Sequence, residues 1–407
     1  MLLQFNVTNF MSFKNEAILS LIANNDKEHK DILIPFNKDC ILPSISIYGA
    51  NASGKTNINK ALVFAISFVR LSNQMQVNQA INVMPFLLDE ESRNMKSRFD
   101  FIFVHNDIKY EYGFVLDQNR VYEEYLYEYK TNKPSLIFER SNVNEYKYTT
   151  NTRKELSAIE NKNTDNKLFL STATLWNAES TRNAYMWFVE GIEVFDSSNL
   201  DIFFEGLMEK ENDETMKKFM LKLLNNADIN IVDYDFEIRK VDPSKTPLPQ
   251  NELKEWRLIT LHKTNENGVV KTFKLPFHLE SKGTINYFYL GPILKIVLQK
   301  GKTVVIDEID SGLHPLLVEY IIGLFNNREE NRKGAQLIFN THDIAQLSLD
   351  IFRRDQIYFV EKNNTTGVSE LYSLDEYSPR KTENIRKGYL QGRYGAIPII
   401  GAKEIEW

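Results

Sequence analysis

A glycine-rich loop between an apolar run and a helical pattern is the feature that most constrains this 407-residue chain. Residues 49–56 read Gly-Ala-Asn-Ala-Ser-Gly-Lys-Thr directly after the apolar run 45–48, and a helical pattern follows at once. This strand–loop–helix order is the context in which G-x-x-x-x-G-K-T forms a phosphate site, because the glycines let backbone N–H groups point inward and the helix N-terminus adds positive charge. The loop therefore predicts nucleotide binding; the alternative is a flexible turn.

Individual loop residues take their predicted roles from the same chemistry. Lys55 can reach the β- and γ-phosphates of ATP, and the Thr56 hydroxyl can bind Mg²⁺. The predicted cofactors are therefore ATP and Mg²⁺. The predicted ATP-binding residues are Gly49, Asn51, Ala52, Ser53, Gly54, Lys55, Thr56 and Asn57.

Two carboxylates follow a second apolar run. Residues 303–306 are typical of a buried strand, and Asp307 and Glu308 close it. Carboxylates at the end of a buried strand are costly unless they have a function. Asp307 is therefore predicted to hold Mg²⁺ through water, and Glu308 to be the general base that polarises the attacking water. The alternative is an ordinary exposed strand end.

A third apolar run, residues 336–340, leads into a histidine at a strand end. A side chain there could hydrogen-bond a γ-phosphate, although a lone histidine in such a place is more often structural. As the third member of an ordered set, His342 is predicted to be the switch histidine and, with Glu308, a catalytic residue.

Together these motifs resemble the ABC-type ATPase superfamily, and in detail the SMC/RecF-like, single-chain bacterial AAA family ATPases of phage-defence and abortive-infection systems. Residues 280–284, Glu-Ser-Lys-Gly-Thr, occupy the signature position, where transporters carry L-S-G-G-Q. Residues 311–315, Ser-Gly-Leu-His-Pro, match the D-loop of that group, and residues 9–13 and 388–398 also resemble it. Without the resemblance, the alternative for residues 280–284 is a plain helix cap.

The resemblance covers roughly residues 1–130 and 255–400. It implies an α/β fold, an ABC-type ATPase head with a parallel nucleotide-binding sheet, an antiparallel β lobe and a helical insertion. It also implies a homodimer or higher homo-oligomer in which one chain closes on the ATP of another. The residues assigned to that contact in trans are Ser281, Gly283 and Thr284 of the signature. The residues assigned to the D-loop are Ser311, Gly312, Leu313 and His314. A Q-loop glutamine is expected too, and Gln74, Gln76 and Gln79 are nearby candidates without a clear flank.

Three segments are predicted along the chain. Residues 1–149 hold the phosphate loop and alternating strand patterns, which predict an ATPase lobe with an antiparallel β subdomain. Residues 150–228 are polar and mostly helical, and they either pack on their own domain or face a partner. Residues 229–407 carry the signature, the carboxylate pair, the D-loop and the switch histidine as a second ATPase lobe.

Composition and charge limit the kinds of partner and the cellular location that are expected for this chain. The formal charge of −6 argues against broad basic wrapping of nucleic acid, although a local basic groove stays open. The single cysteine, Cys40, excludes an internal disulfide and is predicted to be a small buried hydrophobe. No apolar stretch approaches the roughly 18 residues of a membrane helix, and the N-terminal residues lack a signal-peptide pattern. The expectation is a cytoplasmic protein without a membrane partner.

Two functions compete on this basis. The first is a dimeric ATP-hydrolysing switch, the sensor or regulator of an antiphage defence system. Because no second catalytic constellation is visible, a separate nuclease or toxin would be its partner. The alternative is a DNA-repair or recombination ATPase of the RecF/SMC type, with nucleic acid as partner. A transporter subunit fits less well, because the signature is not L-S-G-G-Q.

Overall fold

The computed structural model describes residues 1–196, 214–227, 229–240 and 254–398. The chain divides into two compact units, each discontinuous in sequence. The first unit consists of Met1–Asp196, Val297–Ile309 and Glu319–Trp407, and the second of Ser197–Ile296 and Asp310–Val318.

The strands in chain order are β1 (Leu2–Thr8), β2 (Ala17–Ser20), β3 (Ile34–Phe36), β4 (Asp39–Ile41), β5 (Ser44–Tyr48), β6 (Ser97–His105), β7 (Ile108–Leu116), β8 (Val121–Tyr129), β9 (Ser135–Ser141), β10 (Glu145–Tyr148), β11 (Ile192–Asp196), β12 (Asp233–Lys240), β13 (Lys254–Glu266), β14 (Val269–Pro276), β15 (Thr303–Asp307), β16 (Gln336–Asn340), β17 (Ile357–Lys362) and β18 (Ser369–Ser373). The α-helices are α1 (Lys55–Leu71), α2 (Glu90–Asn94), α3 (Thr150–Leu156), α4 (Phe169–Leu175), α5 (Glu179–Met186), α6 (Glu214–Asn226), α7 (Lys282–Lys300), α8 (Pro315–Asn326) and α9 (Ile385–Leu390). Short 3₁₀ turns cover Lys30–Ile32, Ser72–Gln74, Glu160–Lys162, Phe277–Leu279, Arg354–Gln356 and Leu374–Tyr377, and a π-helical turn covers Trp187–Gly191.

A six-stranded sheet in the first unit carries the predicted site. Its strand order is β11-β15-β16-β5-β17-β18, and neighbouring strands are parallel except for the β17–β18 pair. Every residue of β5, β15 and β16 is buried, as expected for parallel strands that are covered on both faces. The predicted α/β fold with a parallel sheet is therefore confirmed.

One strand of this sheet comes from the segment predicted to be a helical insertion. Strand β11 pairs with β15 in parallel, which places Asp196 opposite Asp307. The short run Ile192–Asp196 lies within a mostly helical stretch, so the sequence alone did not mark it as part of the sheet.

An antiparallel lobe completes the first unit. Its seven strands run in the order β10-β9-β8-β7-β6-β1-β2, and all of their pairings are antiparallel. This confirms the β lobe that the alternating patterns near residues 98–129 predict.

Helix α1 joins the phosphate loop to the core. Its side chains at helical spacing are all buried, namely Ile58, Ala61, Leu62, Ala65, Ile66 and Val69. They belong to the apolar core that also includes β1 and β5 side chains. Because the helix is held along its length, the loop at its N-terminus has a fixed position.

The described part of the second unit contains a three-stranded antiparallel sheet of order β12-β13-β14. Strands β13 and β14 form a hairpin that turns at Asn267 and Gly268. Helix α7 begins in this unit at Lys282, directly after the predicted signature serine.

The prediction for Cys40 is wrong. Cys40 is exposed, because it lies on the two-stranded β3–β4 ladder opposite the exposed Pro35. Among the described helices, none is both long enough and apolar enough to cross a membrane.

Candidate functional site

The phosphate loop links the buried strand β5 to helix α1. Gly54 immediately precedes the helix with φ of 114°, a conformation that side chains rarely adopt. A Cβ atom there would lie 2.6 Å from Ser369 Oγ and 2.7 Å from Ser12 Oγ. Only glycine therefore allows the loop to pass between these two hydroxyls and start the helix at Lys55.

The buried ammonium of Lys55 lies inside the loop. Its Nζ donates hydrogen bonds to the carbonyl oxygens of Gly49 at 2.8 Å and Ala50 at 3.1 Å. The same atom lies 3.5 Å from Nδ1 of His342. Lys55 is only 5% exposed, and its ammonium faces carbonyl oxygens. A strongly negative ligand at this position would interact strongly with the lysine charge.

Two buried polar atoms, one in the phosphate loop and one on helix α1, fit the predicted ligands. Ser53 Oγ and Asn59 Oδ1 have no hydrogen-bond partner among the residues that the structure describes. Buried polar atoms are normally hydrogen-bonded, so each points to a ligand or a water. Ser53 belongs to the loop that would hold phosphate, and Asn59 contacts the carboxylate predicted to hold Mg²⁺. The residues present therefore fit both ATP and Mg²⁺, with Thr56 and Asp307 as the predicted metal-holding groups.

Asp307 is held in place by two amides. Its Oδ1 accepts a hydrogen bond of 2.9 Å from Asn59 Nδ2 on helix α1 and a second one from Asn340 Nδ2 at the end of β16. The residue is only 8% exposed. Both donors converge on the same one of the two carboxylate oxygens.

Glu308 begins the turn that follows β15. It has φ of 51°, which is uncommon for a residue with a side chain. Its backbone N–H donates a 2.6 Å hydrogen bond to Asn340 Oδ1. Its carboxylate Oε1 lies 3.9 Å from His342 Nε2, and both side chains are about half exposed.

His342 therefore lies between the lysine and the general-base candidate. Its Nδ1 faces Lys55 and its Nε2 faces Glu308. The strand order explains why these three side chains lie close together, because β16 lies between β15 and β5 and all three strands run in the same direction. The structure thus brings together the residues that three separate motifs predict: Lys55, Asp307, Glu308 and His342.

A cleft of about 960 Å³ opens beside the loop. Residues 49–53 and His342 line one side, and residues 361–367 line another. Tyr389 and residues 396–398 also line it, so the C-terminal segment that carries part of the family resemblance lies at the predicted nucleotide site. Burial raises the pKa of Tyr389 to about 12, and its neutral hydroxyl donates a 2.9 Å hydrogen bond to the Ala396 carbonyl, which shapes this wall.

The N-terminal segment of the resemblance also reaches the loop. Asn57 Nδ2 donates a 2.7 Å hydrogen bond to Ser12 Oγ. Ser369 N donates to the Ser12 carbonyl at 2.8 Å, and Ser369 Oγ donates to the Ser53 carbonyl at 2.6 Å. Asn57 thus holds the segment beside the loop, a structural contact that the sequence did not indicate.

The predicted signature and D-loop pack together within the second unit. Ser281 Oγ accepts a 3.1 Å hydrogen bond from Thr284 N and so caps helix α7. A Cβ atom on Gly283 would lie 2.4 Å from the Gly312 carbonyl oxygen. Asn286 Nδ2 donates a 2.7 Å hydrogen bond to the Ser311 carbonyl, so the two motifs form one block.

The remaining D-loop residues have structural contacts of their own. Leu313 is 8% exposed, and its N–H donates to the Asp310 carbonyl at 3.1 Å. His314 Nδ1 accepts a 3.2 Å hydrogen bond from Leu316 N near the start of α8.

None of the three Q-loop candidates lies at the phosphate loop. Gln74, Gln76 and Gln79 follow the C-terminal end of α1, a helix of 17 residues that separates them from the loop by roughly 25 Å. The carbonyls of Gln76 and Gln79 instead accept hydrogen bonds from Asn166.

Sequence reasoning missed Asn59 and Asn340 as site residues. Asparagine has many structural uses, so its residue type alone carried no signal. A helical position four residues after Lys55 and a strand end two residues before His342 could have indicated them.

Comparisons with known proteins identify a family for the chain. A family model described as "AAA domain, putative AbiEii toxin, Type IV TA system" matches residues 44–348. One similar solved structure is the SMC head domain from Thermotoga maritima, with a TM-score of 0.41, 16% identity, and coverage of 91% of this chain and 98% of that chain. A second is an SMC head bound to the C-winged helix domain of ScpA, with a TM-score of 0.40, 15% identity, and coverage of 91% and 97%. No curated protein sequence matches the chain.

Proposed function

Because the chain belongs to the AbiEii-type AAA domain family, we propose that it is an ATP-hydrolysing, dimeric switch protein of a bacterial antiphage, abortive-infection system. The observation that carries the proposal is the meeting of Lys55, Glu308 and His342 at one edge of the parallel sheet. A cation for phosphates, a general base and a hydrogen-bonding histidine are the parts that phosphoryl transfer to water requires.

Each of these residues has a defined role in hydrolysis. Lys55 pairs with the β- and γ-phosphates, and His342 hydrogen-bonds the γ-phosphate. Glu308 accepts a proton from the water whose oxygen attacks the γ-phosphorus, while the bond to the ADP oxygen breaks. Mg²⁺, held by Thr56 and Asp307, supplies charge neutralisation when bound.

The signature and D-loop act on the ATP of a second copy of the chain. Their packing as one block supports this role, because a rigid block can close on a ligand without rearranging. Ser281 lies at the start of the 19-residue helix α7, where backbone N–H groups favour an anion. ATP binding then closes a head-to-tail dimer with two composite sites, and hydrolysis opens it.

The effect on phage requires a second protein, a nuclease or toxin that the ATPase conformation activates or holds in check. The docking surface is proposed to lie in residues 150–228, outside the strand β11 that the parallel sheet uses. Part of that segment, residues 197–213 and 228, lies outside the described residues.

A DNA-repair ATPase of the RecF/SMC type is the second candidate, since it would share the same nucleotide chemistry. The family match favours defence. Phage challenge separates the two. Cells would express this chain, the product of the neighbouring gene, or both, with Glu308→Gln as the matched control.

Protection only by the pair, and its loss with Glu308→Gln, is the expected result. Full protection by this chain alone would refute the partner requirement. No protection in any combination, together with sensitivity to DNA damage on deletion, would support the repair function instead.

A further inference from the structure

We propose that Asn340 positions both carboxylates of the hydrolytic site through a single amide group. This inference rests on the proposed function, since it takes Asp307 and Glu308 as the working carboxylates. Asn340 is 1% exposed and ends strand β16.

The two halves of the amide have different partners. Nδ2 donates a hydrogen bond to Asp307 Oδ1, and Oδ1 accepts the 2.6 Å hydrogen bond from Glu308 N. The backbone carbonyl of the same residue accepts a 3.3 Å hydrogen bond from Ile309 N. Asn340 therefore contacts three consecutive residues at the end of β15.

The hydrogen bond to Glu308 matters because of the backbone conformation there. A residue with a side chain is disfavoured at φ of 51°, so this turn needs support from its surroundings. The amide oxygen of Asn340 gives that support. With the turn held in this way, the Glu308 carboxylate lies 3.9 Å from His342 Nε2.

An amide is the side-chain group that fits both partners. It donates and accepts at a fixed separation, whereas a carboxylate of the same shape only accepts and a leucine does neither. The substitution Asn340→Asp would also set a second negative charge against Asp307. The parallel register, with Ile306 opposite Phe339, places the next residue of each strand side by side.

The test compares Asn340→Leu and Asn340→Asp with a matched control. Gln336→Leu removes another fully buried amide from the same strand, at the end away from the site, where it contacts Leu2 and Thr303. Turnover is measured against ATP concentration in the full-length protein. ATP affinity is measured by calorimetry with Mg²⁺ and with a chelator, and folding is checked by thermal unfolding.

Both Asn340 variants are expected to lower kcat about ten- to hundred-fold, the scale of a misplaced catalytic group, with KM changed less than about threefold. The ATP affinity of Asn340→Leu in chelator should match the wild type, while its gain in affinity on adding Mg²⁺ should shrink, because Asp307 loses one of its two donors. Gln336→Leu should lower the unfolding temperature but keep kcat and the Mg²⁺ effect.

Wild-type kcat in folded Asn340→Leu would overturn the proposal, and so would an equal loss of kcat in Gln336→Leu. If Asn340→Leu does not fold, Asn340→Asp decides alone, since it keeps the acceptor for Glu308 N. Wild-type kcat in that variant would then overturn the proposal. A wild-type rate in Glu308→Gln would instead overturn the proposed function, which keeps the two failures apart.

Discussion

His342 Nε2 lies 3.9 Å from Glu308 Oε1, although the two residues follow different strands of the sheet. The contact joins the general-base candidate to the residue predicted to sense the γ-phosphate. Because the other imidazole nitrogen faces Lys55, one side chain links the cation and the base. The predictions below test the parts of this arrangement separately.

Lys55→Ala should abolish ATP binding, because it removes the buried cation that would pair with the phosphates. Lys60→Ala, an exposed position on the same helix, is the matched control and should bind as the wild type does. Calorimetric titration with ATP measures both. Unchanged affinity in Lys55→Ala would show that residues 49–56 are not the phosphate site.

Glu308→Gln should keep ATP bound but stop turnover, because an amide does not accept the proton of the attacking water. If closure is driven by ATP, this variant should stay dimeric in ATP. Light scattering with and without ATP measures the mass, and Glu329→Gln, outside the predicted site, is the control. A mass that does not change with nucleotide would count against ATP-gated association.

Gly283→Ala should lower turnover while leaving ATP affinity unchanged. Its new methyl group would lie 2.4 Å from the Gly312 carbonyl oxygen, so the signature and D-loop could not keep their packing. Overpacking of this kind destabilises by about 1–3 kcal/mol.

The matched control for this change is Gly323→Ala on helix α8, where an added Cβ meets no atom within 4 Å. That change should stabilise the protein by about 0.5–1 kcal/mol and leave turnover alone. Equal turnover in both variants would show that packing of the signature against the D-loop does not matter for hydrolysis.

Local motifs made much of the site predictable. The glycine loop and the carboxylate pair are each a short, contiguous pattern. Residues 49–56 and Asp307–Glu308 could therefore be recognised from local sequence, without knowledge of the neighbouring strands. The alternating patterns near residues 98–129 indicated the antiparallel lobe for the same reason.

Contacts between distant residues were not predictable in this way. Asn59 and Asn340 meet Asp307 only because a helix and a neighbouring strand bring them there, across 248 and 33 positions of sequence. The packing of Gly283 on Gly312 likewise depends on backbone geometry. Cys40 shows the reverse case, since residue type suggested burial while the short β3–β4 ladder exposes it.

ATP turnover in a mixture of Ser281→Arg and Lys55→Ala chains tests the central claim, a composite site shared between two chains, most directly. Each variant alone should be inactive, the first because a bulky cation blocks closure and the second because it does not bind ATP. In a mixed head-to-tail dimer, one site carries both lesions and the other carries neither. An equal mixture should therefore recover up to about a quarter of wild-type turnover, because half of the dimers are mixed and each keeps one intact site. No recovery, in a sample where mixed dimers are shown to form, would contradict independent composite sites.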